Sequence, residues 1–176
     1  FDYHISLCSL PRYLKTKKAV TDTYGMKSNL KYLLFYGFTI KDNTEDVLYI
    51  NIVHGKQNKQ LKDSILSNVN GYLNKNHNSE LFQTILTFLR ISVSDESVLR
   101  KHKHINFYQK PYSLKNEKLT IKALKVYLIT LLKNYTYFHE NSKNTYTKYS
   151  IPWNCYNLIM GEISIIQHYL EIAEKS

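Results

Sequence analysis

The chain has 176 residues, 43% hydrophobic and 22% charged, with a formal net charge of +10 and 14% aromatic residues. That is enough chain for one good-sized domain or two small ones with a buried core, and no apolar run approaches the roughly 18 residues a membrane-spanning helix needs. With only 5 glycines and 3 prolines, breakers are scarce and helices are favoured over a turn-rich β fold.

In chain order, residues 1–10 alternate, carry Ile5, Leu7 and Leu10, and read as a strand that Pro11 ends. Residues 12–18 are a basic loop, and residues 19–24 read as a second strand that delivers Tyr24 at its end. Lys27, Ser28 and Asn29 form a polar corner that opens a short apolar helix, with Ser28 or Asn29 as its N-cap. Gly37 stands where the helix C-terminus calls for a left-handed residue. A polar turn over residues 41–46 leads into an alternating strand, residues 47–53.

Beyond Lys59 the spacing predicts helices. Leu61, Ile65, Val69 and Leu73 fall at steps of four, and Leu81, Ile85 and Phe88 define a second helix over residues 80–93. Ser94, followed by Asp95 and Glu96, reads as the N-cap of a short helix. Residues 101–112 read as a solvated basic and aromatic loop. A long helix over residues 113–139 carries Ile121, Leu124, Leu128, Leu131 and Tyr135, and a last one has Pro152 in its first turn and runs to about Glu174. Helices with one apolar stripe each bury those stripes against one another, so an antiparallel bundle is expected for the body. The fold class is therefore α+β: a small β-rich head over residues 1–42 and a mainly α-helical body over residues 43–176.

The stretch from Tyr24 to Phe38 reads Y-G-M-K-S-N, an apolar helix, then Y-G-F. It resembles the end of the SET domain in protein methyltransferases of the Rubisco large-subunit lysine methyltransferase type. The resemblance continues in order through Asp42-Asn43 and Asp46, Leu89-Arg90-Ile91, Asn116-Glu117 and Gly161-Glu162. It implies the tail of a SET domain (residues 1–42) followed by a helical substrate-binding domain of that family (residues 43–176). By resemblance, Tyr24 stands at the catalytic tyrosine, Tyr36 lines the channel for the acceptor side chain, and Phe38 packs against the cofactor, S-adenosylmethionine. Asn29 holds the corner together. The implied activity is methyl transfer to lysine, or to histidine, in a protein substrate with an acidic face. The family's Asn-His motif and its cofactor loop are not in this chain, which reads as a piece of a longer protein and is expected to be inactive alone. The alternatives are a non-catalytic protein-interaction module and, less favoured, a basic nucleic-acid-binding helical domain.

Residues outside these motifs point to simpler roles. His102 and His104 lie within a run of lysines without ligand spacing, so no metal site is expected. Cys8 and Cys155 are isolated and read as reduced thiols of an intracellular protein, nuclear or cytoplasmic. Lys101, Lys103 and Lys110, interleaved with Phe107, Tyr108 and Tyr112, read as solvated, the alternatives being a nucleic-acid stacking face and the face of the helical body that docks an acidic protein substrate.

Overall fold

A computed structural model of the chain describes residues 24–75, 79–141 and 146–175. Within them lie six α-helices and a two-stranded antiparallel sheet, a helix-rich α+β arrangement. The strands expected over residues 1–10 and 19–23, and Cys8, fall outside the described residues.

Helix α1 (Asn29–Tyr36) ends at Gly37, whose φ of 76° is the left-handed value expected of it. Its start departs from expectation. Ser28 is the N-cap but its side chain makes no capping bond. The free N–H of Asn29 instead donates to Asp46 Oδ1 at 2.6 Å, from 17 residues away in sequence. A carboxylate brought in from another segment thus does the work of a cap.

Strand β1 (Leu48–Val53) follows as predicted, and pairs with β2 (Asn68–Leu73) in register Leu48 with Leu73, Ile50 with Gly71, and Ile52 with Val69. The helix expected through Leu61 to Leu73 is therefore corrected: only α2 (Lys59–Asp63) is helical there, and Val69 and Leu73 are strand residues. Four is a multiple of two as well as close to a helical turn, so a step of four keeps Val69 and Leu73 on one face of a strand too. Gly71, paired with Ile50, tips the balance, because its missing side chain lets Leu81 approach. The strands expected in residues 1–42 lie outside the described residues but for Tyr24; among the described residues the head carries α1, and the two-stranded sheet belongs to the body.

The buried face of the sheet (Leu48, Ile50, Ile52, Val69 and Leu73) is the floor of the core. Helices α3 (Ser79–Ser92), α5 (Leu114–Asn141) and α6 (Ile151–Lys175) cover it with Ile85, Phe88, Leu124, Leu128, Ile166 and Tyr169. Each such side chain contributes about 1.5–3 kcal/mol of transfer free energy. The body is thus helices on a two-stranded sheet, of which the strand over residues 47–53 was expected and its partner β2 was not. The outer face of the hairpin carries Tyr49 opposite Tyr72, their rings 5.4 Å apart.

Helix α4 (Glu96–Lys101) starts from Asp95, not Ser94. The Ser94 hydroxyl is taken by the carbonyl of Arg90, at 2.6 Å, and by the Tyr112 hydroxyl. The solvated loop expected over residues 101–112 holds for its lysines, with Lys101, Lys103 and Lys110 exposed, and is corrected for its aromatic side. Residues Ile105–Tyr108 form a 3-10 turn, Tyr108 is 0% exposed, and Phe107 and Tyr112 pack against it. Arg90, from α3, holds this segment: two of its nitrogens donate to the Glu117 carboxylate at 2.7 and 2.8 Å, and Nη1 donates to the carbonyls of Tyr108 and Gln109. Asn116 joins by donating to the Arg90 carbonyl at 3.2 Å.

Candidate functional site: an open aromatic face at helix α1

Tyr24, Tyr36 and Phe38 come together. The Tyr24 ring lies 4.5 Å from that of Tyr36 and 5.7 Å from that of Phe38, and Tyr36 and Phe38 are 6.3 Å apart. Tyr24 is 56% exposed and Tyr36 is 42% exposed, so the cluster presents ring faces and two phenols to solvent. A fourth ring escaped the sequence reading. Tyr32 is buried and stacks on the half-buried Phe38 at 5.0 Å, behind the two exposed tyrosines. The signal was present, since Tyr32 and Tyr36 are four apart and share a helix face.

The backbone under Tyr24 is tied down. The Tyr32 hydroxyl donates to the carbonyl of Gly25, and the Lys27 ammonium donates to the carbonyl of Tyr24. The expectation that Asn29 holds the corner matches its geometry. Asn29 is 1% exposed. Its Nδ2 donates to Asp46 Oδ2 and to the Ile40 carbonyl, each at 2.8 Å, and its Oδ1 accepts from the Ile40 N–H at 2.7 Å. Asn43 completes the joint by donating to the Lys27 carbonyl.

Helix α6 presses on this joint from the body. Asn154 Oδ1 accepts from the N–H and the hydroxyl of Thr39, its Nδ2 donates to the Gly37 carbonyl, and Asn157 donates to Thr39 Oγ1. Gly161 faces Asp46 so closely that a Cβ there would stand 2.1 Å from Oδ2. Burial raises the Asp46 carboxyl above its ordinary value, and the Asn29 bonds and the Lys75 charge act against that rise. Glu162 is also raised, chiefly by burial, and is hydrogen-bonded to Tyr135. A cleft of about 470 Å³ lies between the 41–46 turn and α6, lined by Asp46, Lys75, Asn157 and Gly161 among others; it contains none of the four aromatic residues.

Chemically, the face is a set of electron-rich ring surfaces with hydroxyls beside them. Such a surface attracts a desolvated cation by its ring quadrupoles, and its hydroxyls can accept from or donate to a polar nitrogen. Among the described residues, no group of three or more His, Cys, Asp or Glu side chains gathers as a metal site. Cys155 is free and exposed, and no described helix is long and apolar enough to cross a membrane. A scan of protein-family models finds no match to the chain, and a search of curated protein sequences finds no significant one.

Proposed function

We propose that the chain is the C-terminal part of an S-adenosylmethionine-dependent protein N-methyltransferase whose acceptor is a lysine or histidine side chain, with the helical body docking the protein substrate. The observation that carries the reading is the convergence of Tyr24, Tyr36 and Phe38 into one solvent-facing aromatic surface, clamped by Asn29 and Asp46. The residues present fit one wall of a cofactor site: ring faces suited to a sulfonium cation, with Phe38 available to adenine on the side away from Tyr32.

When bound, the cofactor supplies an electrophilic methyl group. The chain's part is positioning. Tyr36 lines the approach of the acceptor side chain, Phe38 packs against the adenine of the cofactor, and the Tyr24 hydroxyl orients the lone pair of the acceptor nitrogen for in-line attack. The Asn29–Asp46 joint keeps Tyr24 and Tyr36 in register by fixing both ends of α1.

The test uses the full-length parent protein, labelled S-adenosylmethionine and cell extract. The wild type is expected to label protein, and Tyr24→Phe to reduce transfer by about a hundredfold with cofactor affinity nearly unchanged, since only a positioned hydroxyl is lost. Equal turnover by the variant removes Tyr24 from the mechanism. An unlabelled extract with folded, cofactor-bound protein overturns the enzymatic reading in favour of a non-catalytic interaction module.

A further inference from the structure

Helix α5 buries Asn116, Thr120, Leu124 and Leu128, a stripe at steps of four. At 100° per residue, the direction opposite that stripe is occupied by Lys118, Lys122, Lys125, Ile129 and Lys133. Lys118, Lys122 and Lys133 are exposed and Lys125 is half-buried. Among the described residues none of these four lysines pairs with an acid. Neighbouring like charges at steps of three and four repel, so the row is electrostatically unsatisfied among the described residues. Aliphatic surface runs through and beside it: Leu119, Val126 and Ile129 are 40%, 57% and 44% exposed.

We propose that this outer face of α5 is a docking surface for an acidic, aliphatic polypeptide segment, whose carboxylates lie along the lysines and whose apolar side chains cover Leu119, Val126 and Ile129. That the occupant is the methylation substrate rests on the proposed function; its chemistry does not. From Lys118 to Lys133 the row is about 22 Å long at helical rise, which suits a partner helix of about four turns. Charge complementarity sets the sign of the partner, and the aliphatic strip sets its class. A nucleic-acid face brings arginine forks and stacking rings, and the exposed side of this helix has lysines and aliphatic side chains instead. A membrane-surface helix sinks a continuous apolar face into the lipid, but here the apolar face of α5 is committed to the protein core and the outer aliphatics alternate with charges.

The experiment measures binding of the whole chain to a labelled synthetic helical peptide of glutamate and leucine, about 15 residues long to match the row. Fluorescence anisotropy is read at low and high salt. Lys118→Glu/Lys122→Glu/Lys125→Glu is expected to weaken binding about tenfold or more, the matching Lys→Gln set by less, and added salt to act in the same direction. Val126→Ser/Ile129→Ser is expected to weaken it about fivefold or more with the charges intact. All substituted side chains point away from the core, and circular dichroism checks each variant's fold. The proposal is overturned by charge-reversed protein binding as tightly as wild type, or by indifference to the two serines. It is equally overturned by a single-stranded oligonucleotide or an anionic vesicle outcompeting the peptide. Methyl transfer is read separately: loss of transfer with peptide binding intact counts against the enzymatic reading alone, and intact transfer without peptide binding counts against this surface alone.

Discussion

The molecule holds two clusters of aromatic rings that look interchangeable in sequence and are opposites in space. At α1, Tyr36 and the half-buried Phe38 lean on Tyr32, Tyr24 packs on both, and the two tyrosines Tyr24 and Tyr36 are exposed. In the 102–112 segment, His102 stacks on Phe107 at 3.7 Å, Phe107 packs on Tyr112 at 4.7 Å, and Tyr108 is fully enclosed. Each is fastened by a polar joint between distant segments, Asn29 to Asp46 in one case and Arg90 to Glu117 in the other. The difference is where the joint sits. Arg90 reaches around Tyr108 to grip its carbonyl, which draws the rings inward. Asn29 and Asp46 lie beneath α1 and leave its rings outside. Ring content alone therefore does not separate an enclosed ring from a presented one; the position of the joint does.

The closed cluster breaks most severely. Arg90 is 4% exposed at its side chain while Glu117 is 24% exposed. Arg90→Met strands the Glu117 carboxylate and the two carbonyls, and is expected to cost about 3 kcal/mol, at the lower end for a buried pair because Glu117 keeps some water. Urea denaturation reads it as a fall in the midpoint, and the rings at Phe107 and Tyr112 become exposed to quenchers.

The open cluster breaks from the far side of the joint. Gly161→Ala places a methyl group where Asp46 Oδ2 now stands. Either α6 recedes or the carboxylate leaves Asn29, at an expected cost of about 2–3 kcal/mol. Its signature is local: amide exchange at Asn29 and Ile40 quickens well before that of the hairpin. Uniform loss of protection throughout the chain runs against the joint being the point of failure.

A single hydroxyl then sharpens the contrast. Tyr108 donates to the His102 carbonyl at 2.9 Å inside the closed cluster, and burial pushes its phenol up to about 12. Tyr108→Phe leaves that carbonyl unanswered and is expected to cost about 1 kcal/mol. Tyr24→Phe in the open cluster is expected to leave the denaturation midpoint unchanged, because its hydroxyl already faces water. Equal losses at the two positions erase the distinction between a structural and a presented ring.

Much of this was legible in sequence and some was not, for identifiable reasons. Helices α3, α5 and α6 repeat an apolar stripe over many turns, so their period is unambiguous; β2 is short, and its step of four fits either period. The three proposed site residues were legible because they bracket one helix and carry a recognisable order. Asp46 and Gly161 were visible only as isolated letters, since their meeting joins positions 115 residues apart and no local pattern encodes it. Arg90 and Glu117 were likewise picked out one at a time, and the ion pair they form holds the segment whose Tyr108 is buried while Lys103, His104, Gln109 and Lys110 stay exposed.

The smallest expected effect concerns His54, which backs the closed half from beneath α3. Its ring is buried, stacks on Phe88 at 3.9 Å, and sits between the Leu66 carbonyl at Nε2 and Ser92 Oγ at Nδ1, each at 2.8 Å. A carbonyl can only accept, so Nε2 carries the proton, and the neutral ring accepts at Nδ1 from the Ser92 hydroxyl. Burial is the largest influence and lowers the imidazole below its ordinary value, with Lys62 and Lys59 adding to that and Asp63 and the Leu66 bond opposing it. The unfolded chain then binds a proton near pH 6.5 while the folded one still declines it, so stability is full above about 6.5 and falls as pH drops through the window toward the folded value. Denaturation midpoints of wild type and His54→Gln compared from about pH 7.5 down to about pH 5 isolate this slope. The wild type is expected to lose more than the variant across that window. Parallel curves mean the ring takes up its proton as readily folded as unfolded, with Ser92 turning its hydroxyl to the Phe88 carbonyl 2.9 Å away and accepting from Nδ1 instead. In that case the closed half tolerates charge as the open half does, and exposure alone, not polarity, separates the two.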